Sequence, residues 1–285
     1  TKVCQVVADE LGVALARVRI SASDTARVPN ASATAASAGT DLNGRAAQDA
    51  ARKVRERLCA FVAREDGVPV DTVRMTGGQV HSPAAVRSFD DVVRAAYAAR
   101  VQLWSDGFYR TPKIHYDRQT LTGRPFYYFA YGAACVEVAV DVLTGESRVM
   151  AVDILHDVGR SINPAIDIGQ IEGAFVQGMG WLTTEELVWN EHGRLTTHAP
   201  STYKIPTSGD VPEHFKVALW PQANPENNLF GSKAVGEPPF MLGIAVYEAI
   251  RDAVASLDGV RLAVAPCTPA VVLAALTEPR GDLDG

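Results

Sequence analysis

Hydrophobic and polar positions along the chain predict several helices. Residues 1–12 carry apolar side chains at helical spacing and end at a glycine, which is typical of a helix C-cap. Residues 42–65 keep the same spacing for longer and predict a long amphipathic helix. Residues 88–104 begin with Ser88, followed three positions later by Asp91, and this capping pattern predicts a third helix.

Alternation of apolar and polar residues predicts strands in two further regions. Residues 17–24 alternate through Val18, Ile20 and Ala22 and predict a short strand. Residues 134–159 alternate on both sides of a Thr-Gly-Glu turn and predict a hairpin. Its predicted inward-facing residues are Val136, Val138 and Val140, followed by Val149, Ala151 and Asp153. Helices mixed with paired strands predict a fold of the α+β class.

A fourth helical pattern, at residues 163–182, is rich in glycine. Its glycines are Gly169, Gly173, Gly178 and Gly180. Each interior glycine costs a helix about 1 kcal/mol relative to alanine. We therefore expect another backbone or a ligand to approach this helix closely. Residues 237–257 and 268–276 each place proline in a first helical turn and predict two more helices.

Composition and charge exclude some classes of function. The 285 residues are 47% apolar with a net charge of −6, and both signs of charge are interspersed. We therefore expect no nucleic-acid binding. No apolar run reaches the roughly eighteen residues of a membrane span, so we expect no membrane insertion. Cys4, Cys59, Cys135 and Cys267 are far apart, which predicts reduced thiols and a cytoplasmic location rather than a metal site.

The domain organisation is less distinct. No change of composition marks a boundary, so residues 1–285 are treated as one region, with two intertwined lobes meeting near residue 80 or 120. The chain begins inside a helical pattern and has neither an initial methionine nor a leader segment. We expect it to be a fragment of a longer protein.

Residues 29–44 contain one large side chain, Leu42. Such a stretch is typical of a flexible linker, or of a loop whose backbone approaches a ligand. The hydroxyls of Thr34 and Ser37, with small residues between them, favour an anion-binding concavity of backbone N–H groups. Ordered elements are predicted on both sides, which disfavours the linker. Asp41 or Asn43 is predicted to cap the second of these elements.

Two polar residues are candidates for chemistry. Glu237 follows Gly236 and precedes two prolines, which are predicted to hold it extended at the start of a helix. A fixed carboxylate beside an open backbone suits a general base, although an acidic residue at a helix start also has a purely structural explanation. Gln177 lies among glycines, where its amide suits the edge of a heterocycle, although the residue taken alone favours a solvent-facing glutamine.

The order of these stretches resembles the C-terminal half of the molybdenum-binding region in the molybdenum hydroxylase family. The similar segments are "VPNASATAASAGTDLNG", "DVGRSINPAIDIGQIEGAFVQGMGW" and "GSKAVGEPP". Two others, "GFYRTPKIHYD" (107–117) and "PFYYFAYGAACVEVAVD" (125–141), are more similar to the xanthine dehydrogenase branch than to the aldehyde oxidases. The resemblance covers nearly the whole chain.

The resemblance implies roles for particular residues. Glu237 matches the catalytic glutamate of the family, which acts as a base. The residues that match the family's cofactor-binding positions are Thr34, Ala35, Ala36, Ser37, Gly39, Gln177 and Gly236. The cofactor is molybdenum–molybdopterin, and because the pterin dithiolene holds the metal, no direct protein ligand is expected.

The resemblance also implies an activity and partners. Hypoxanthine and xanthine would be oxidised to urate with oxygen from water, and electrons would pass to 2Fe–2S clusters, FAD and NAD. The substrate-orienting residues belong to the preceding half of the molybdenum-binding subunit, and the clusters and FAD to other domains or subunits. A two-fold assembly is expected, and the chain alone is expected to be inactive. The alternatives are an aldehyde oxidase, a hydroxylase of another N-heterocycle, or a non-catalytic scaffold lobe.

Overall fold

The chain folds into two compact units in a computed structural model. The structure describes residues 1–21, 24–27, 33–35, 37–257 and 262–277. Unit 1 consists of Thr1–Tyr128 and Pro225–Ser232, and unit 2 of Phe129–Asn224 and Lys233–Gly285. The first change of unit therefore lies at Tyr128, whereas the sequence placed the meeting of two lobes near residue 80 or 120.

Helices and strands are mixed in the described residues, which confirms the α+β class. The α-helices are α1 (Lys2–Leu11), α2 (Gly39–Asp66), α3 (Phe89–Ala98), α4 (Pro164–Thr183), α5 (Ile244–Ala255) and α6 (Pro269–Thr277). The strands are β1 (Arg74–Thr76), β2 (Gln79–His81), β3 (Val86–Ser88), β4 (His115–Asp117), β5 (Thr122–Arg124), β6 (Gly132–Val140), β7 (Ser147–His156) and β8 (His214–Leu219). Within the described part of the chain, every helix is too short or too polar to cross a bilayer.

The predicted end of α1 and the predicted start of α3 are confirmed by their capping contacts, whereas α3 ends at Ala98 and not at residue 104. α1 ends at Gly12, whose φ of 65° is the left-handed conformation that glycine adopts easily. At the start of α3, the Ser88 hydroxyl accepts a hydrogen bond from the Asp91 backbone N–H at 3.1 Å. Capping residues close to each of these helix ends were therefore sufficient to predict them from the sequence.

The strand predicted at residues 17–24 is wrong. Leu15–Arg17 forms a turn of 3-10 helix, and residues 18–21 are neither helix nor strand. Ile20 is 64% exposed. Alternation alone does not make a strand, because a strand also needs a neighbour to hydrogen-bond with. Ala22 lies outside the described residues.

Unit 1 is built around the long helix α2. The strands β1, β2 and β3 form an antiparallel sheet in sequence order. One apolar cluster joins α2, this sheet and α3, and its buried members include Leu58, Phe61, Val62, Val80 and Val92. α1 also packs on α2. The amphipathic pattern of residues 42–65 is thus explained by burial of one face of α2.

Unit 2 is built on the predicted hairpin. β6 and β7 pair antiparallel, and β8, which the sequence analysis missed, joins β7 in parallel. The helices α4 and α5 cover the apolar face of this sheet. Their shared core includes Val152, Ile154, Ile171, Phe175, Val246 and Ile250.

A β-bulge in the hairpin corrects the predicted facing of β7. Val138 pairs with Val149 but Glu137 pairs with Ala151, so the ladder passes over Met150. The extra residue reverses the alternation beyond this point. Asp153, predicted to face inward, is therefore exposed.

Candidate functional site

Glu237 lies at the start of a 3-10 helix, Pro238–Gly243, in unit 2. The side chain of Glu237 is exposed and makes no capping hydrogen bond. Its backbone φ and ψ are −98° and −37°, so the predicted extended conformation is wrong. The carbonyl of Glu237 accepts a hydrogen bond from the Phe240 N–H at 3.0 Å, which offsets the preference that proline imposes on the residue before it.

The segment before Glu237 is fixed by a buried lysine. The Nζ of Lys233 donates to the Asp157 carboxylate at 2.5 Å and to the Phe129 carbonyl at 2.8 Å. Its backbone N–H donates to the carbonyl of Val158 at 2.7 Å. Val235, one of the two residues between this anchor and Gly236, is also buried. The chain therefore reaches Glu237 from a fixed point beside the end of β7.

The segment after Glu237 is fixed by α4. A Cβ added at Gly178 would lie 2.1 Å from the carbonyl oxygen of Phe240, and one added at Gly243 would lie 2.4 Å from the carbonyl carbon of Gly178. The ring of Phe240 stacks on Trp181 with centroids 5.5 Å apart. Glycine at these positions lets the 3-10 helix lie directly on the backbone of α4.

The glycines of α4 fall into two pairs with different surroundings. Gly178 confirms the expected close approach of another backbone, because a Cβ there would overlap the Phe240 carbonyl. A Cβ at Gly180 would instead overlap the side chains of Glu185 and Pro206. A Cβ at Gly169 or Gly173 would meet no described atom within 4 Å, so no close neighbour explains these two. Gly169, Gly173 and the exposed Gln177 are spaced four residues apart, which puts them on one face of α4. We call these three residues the open face of α4.

The small-residue stretch belongs to unit 1 and leads directly into α2. Thr34 and Ala35 are exposed, and Ala36 lies outside the described residues. Ser37 has a φ of 53°, an uncommon conformation for a residue with a side chain. The Nδ2 of Asn43 donates to the Thr34 hydroxyl at 3.3 Å. A Cβ at Gly39 would lie 3.2 Å from Cγ2 of Thr34, so this glycine allows the loop to fold back on the helix.

The start of α2 has no side-chain cap. The N-cap is Ala38 rather than the predicted Asp41 or Asn43, because the helix begins three residues before Leu42. The Asp41 carboxylate instead accepts hydrogen bonds from the Tyr128 hydroxyl and, at 2.8 Å, from the Asn228 amide. Burial raises the pKa of Asp41 above its usual value. The first-turn N–H groups of α2 thus keep their capacity to bind an acceptor.

The predicted site residues therefore fall into two sets. Gln177, Gly236 and Glu237 lie in unit 2, on elements that pack against each other. Thr34, Ala35, Ser37 and Gly39 lie in unit 1. In the described ranges, no group of three or more His, Cys, Asp or Glu side chains is placed to hold a metal ion.

The sequence analysis missed Lys233 and Asp157. They are 76 positions apart, and only folding brings them together. The available signal was the position of Lys233, four residues before Glu237 within a segment that is otherwise apolar or small.

A cavity of about 600 Å³ lies elsewhere in unit 2. Its apolar wall includes Val149, Met179 and Cys267, and neither Gln177 nor Glu237 lines it. Gln177 and Glu237 are exposed in this chain and lie outside that cavity.

Comparison with known proteins decides the family. Residues 1–212 match the model of the molybdopterin cofactor-binding domain. The chain belongs to this family. It is a molybdopterin-binding domain of the xanthine dehydrogenase type, which confirms the resemblance stated above. Gly236 and Glu237 lie beyond the residues that the family model matches.

Individual relatives agree with this assignment. The chain is 44% identical over 254 residues to a xanthine dehydrogenase/oxidase of Felis catus and 42% identical over 257 residues to aldehyde oxidase 2 of Macaca fascicularis. These alignments cover 89% and 90% of the chain but only 18% of each relative. Among solved structures, quinoline 2-oxidoreductase from Pseudomonas putida 86 matches with a TM-score of 0.82 and 29% identity, covering 98% of this chain and 35% of that one. The chain thus spans about a fifth of the length of its curated relatives.

Proposed function

We propose that this molybdopterin-binding domain forms part of a molybdenum hydroxylase that oxidises hypoxanthine and xanthine to urate, with Glu237 as the general base. The observation that carries the proposal is the exposed carboxylate of Glu237 on a short segment held at both ends. The xanthine dehydrogenase relatives favour a purine substrate, as do residues 107–141, which are more similar to that branch of the family.

The described residues of unit 1 fit a pterin cofactor. Thr34 and Ala35 are exposed, and the small side chains up to Gly39 allow a ligand to reach the backbone. The uncapped start of α2 provides N–H donors for an anionic group of the cofactor. We assign cofactor binding to Thr34, Ala35, Ser37 and Gly39, and also to Ala36, which follows Ala35 in the sequence.

Unit 2 has a second surface that fits the pterin cofactor. The open face of α4 presents the Gln177 amide beside two glycines with empty space above them. An amide both donates and accepts, as the edge of a pterin requires. Gly236 is only partly buried and has no side chain, so a group can approach its backbone beside Glu237. We assign cofactor contacts to Gln177 and Gly236.

Glu237 would move a proton in this reaction. Replacing a ring C–H by a C–OH with oxygen from water releases two protons and two electrons. When bound, the molybdenum–molybdopterin group supplies the electron acceptor and an activated oxygen. A carboxylate oxygen of Glu237 would accept one of the protons, and a positioned base of this kind contributes roughly 10²- to 10⁴-fold to the rate.

The complete enzyme would need components outside this chain. We propose that the preceding half of the molybdenum-binding subunit supplies the substrate-orienting residues. We also propose that 2Fe–2S clusters and FAD on further domains or subunits carry the electrons to NAD, within a two-fold assembly. The much greater length of the curated relatives supports such additional parts.

A sibling hydroxylase is the second candidate. The 42% identity to an aldehyde oxidase and the structural match to quinoline 2-oxidoreductase favour the same chemistry on an aldehyde or another N-heterocycle. A scaffold lobe that catalyses no reaction is the third candidate. It differs from the other two because it predicts that Glu237 is dispensable.

Turnover by the complete protein tests the substrate. Xanthine, benzaldehyde and quinoline would be compared by kcat/KM in H₂¹⁸O, with molybdenum counted in the same preparation. We expect the highest kcat/KM with xanthine and one labelled oxygen in the product. A higher value with benzaldehyde or quinoline would assign the chain to a sibling enzyme. Failure to oxidise all three by molybdenum-loaded protein would contradict both candidates.

A further inference from the structure

We propose that the buried ion pair Lys233–Asp157 is the positioning device for the Glu237 carboxylate. This inference rests on the proposed function, because it gives Lys233 and Asp157 a role through the base. Neither residue is assigned contact with substrate or cofactor. Their effect would be to fix where the backbone presents Glu237.

Both side chains of the pair are largely shielded from solvent, and both make hydrogen bonds. The side chains of Lys233 and Asp157 are 5% and 14% exposed. The Lys233 ammonium donates to Asp157 Oδ2 and to the Phe129 carbonyl, and it lies 5.4 Å from the centroid of the Tyr131 ring. The other oxygen of Asp157 accepts a hydrogen bond from the Gly159 N–H at 2.8 Å. Both charges are therefore bound to fixed points at the end of β7.

Stability alone is a poor explanation for this pair. Removing two charges from water costs several kcal/mol per ion, and well-packed apolar residues often serve as well or better. An ion pair with defined geometry can instead specify a single arrangement of the segments it joins. Here it joins the end of β7 to the segment that carries Glu237.

The position of Glu237 depends on such an anchor. Its side chain is exposed and makes no capping hydrogen bond. The position of the Glu237 carboxylate therefore depends on where the backbone places this residue. The backbone is held on one side by Lys233 and on the other by the contact between Phe240 and Gly178. Without the ion pair, the segment keeps the backbone hydrogen bond from Lys233 to Val158 and the contact with α4, but it loses the attachment of the Lys233 side chain to Asp157. A displacement of about 1 Å at a reacting group can cost about 10²-fold in rate.

Three variants of the complete holoenzyme test this role. Lys233→Met keeps the length of the side chain without its charge, and Asp157→Asn keeps the shape of the partner. The double variant removes both charges, so that no unpaired charge is left buried. Lys216→Met is the matched control, because Lys216 is an exposed lysine of the same unit on β8. Glu237→Gln is measured in parallel.

Two readouts separate positioning from folding. Hydrogen exchange of the backbone amides at residues 234–237 reports whether the segment is loosened. Steady-state kinetics at equal molybdenum content report whether kcat or KM changes. We expect exchange to become faster at 234–237 and kcat to fall roughly 10²-fold in Lys233→Met and in the double variant. KM should stay within about twofold of wild type and the acid limb of the kcat profile should not move along the pH axis, because the base itself is retained.

The outcomes are distinguishable. If the single variants do not fold, the double variant decides, and it should combine near-normal thermal stability with reduced kcat. Unchanged exchange at 234–237, or a kcat equal to that of Lys216→Met, would overturn the positioning role while leaving Glu237 as the base. Wild-type turnover in Glu237→Gln would instead overturn the proposed function, and the positioning role with it.

Discussion

The carbonyl oxygen of Phe240 occupies the space that a side chain on Gly178 would need, since a Cβ there would lie 2.1 Å from it. Backbone thus packs on backbone where the segment carrying Glu237 meets α4. The relationship accounts for a glycine that would otherwise weaken a helix. It also makes the presentation of Glu237 dependent on a residue more than fifty positions away.

Substitution at Gly178 should therefore be costly, whereas substitution at Gly169 should not. Gly178→Ala forces the 3-10 helix away from α4, and we expect a loss of about 1 to 3 kcal/mol from overpacking. Gly169→Ala meets no described atom within 4 Å and should be neutral or stabilising by up to about 1 kcal/mol. Differential scanning calorimetry of the complete protein compares the two. Equal stability of both variants would contradict the close contact.

Gln177 should affect cofactor loading. If its amide binds the pterin, Gln177→Ala removes one hydrogen bond worth about 0.5 to 1.5 kcal/mol, or roughly 2- to 10-fold in affinity. The measurement is molybdenum and released pterin per protein at limiting cofactor. Gln222, an exposed glutamine of the same unit, gives the control Gln222→Ala. Equal loading in the two variants would remove Gln177 from the cofactor site.

Features coded over a few residues were predictable from the sequence, and features that depend on pairing were not. The C-cap of α1 and the N-cap of α3 are local, so these two helix ends could be predicted. The facing of Asp153 could not, because the bulge that reverses it is a property of two strands together. The strand predicted at 17–24 failed for the related reason that, among the described residues, none pairs with residues 18–21 in a sheet.

The candidate site shows the same division. Glu237 could be proposed as a site residue from its motif and from the resemblance. Its conformation could not, because the hydrogen bond from Phe240 outweighs the local preference imposed by proline. The partner of Lys233 could not be predicted from the sequence either, because Asp157 is 76 residues away.

Asp66, the last residue of α2, should make unit 1 sensitive to acid. Hydrogen bonds from Arg87, and next from Ser82, lower the pKa of Asp66 from 3.8 to about 2. Because the folded pKa lies below the unfolded one, the stabilisation is complete above pH 4 and is lost as the pH falls from about 4 to 2. Asp66→Asn should therefore be less stable than wild type at pH 7, and the difference should close towards pH 2.

This difference is measured by urea denaturation at pH 7, 4 and 3. Unfolding of unit 1 is monitored through hydrogen exchange of the backbone amides in β2 and β3. Asp9→Asn, at an exposed position of α1 in the same unit, serves as the control. A difference between wild type and Asp66→Asn that stays constant with pH would contradict the ion pair.

Cys267 should resist alkylation in the folded protein. The thiol is 1% exposed and donates to the Leu182 carbonyl at 3.2 Å. Burial raises its pKa from 9.0 to about 11, so its thiolate fraction at pH 8 is roughly 10²-fold lower than that of an ordinary thiol. Iodoacetamide followed by peptide mass spectrometry should find Cys267 unmodified in native protein and modified in urea. Equal labelling in both states would show that the core at Cys267 is open.

The most direct test of the account is xanthine turnover by the complete enzyme carrying Glu237→Gln, with molybdenum counted in each preparation. Glu191→Gln, at a glutamate 85% exposed in the same unit, is the matched control. We expect Glu237→Gln to lose roughly 10²- to 10⁴-fold in kcat at equal molybdenum content, while the control keeps wild-type turnover. A Glu237→Gln enzyme as active as the control would show that Glu237 is not the base.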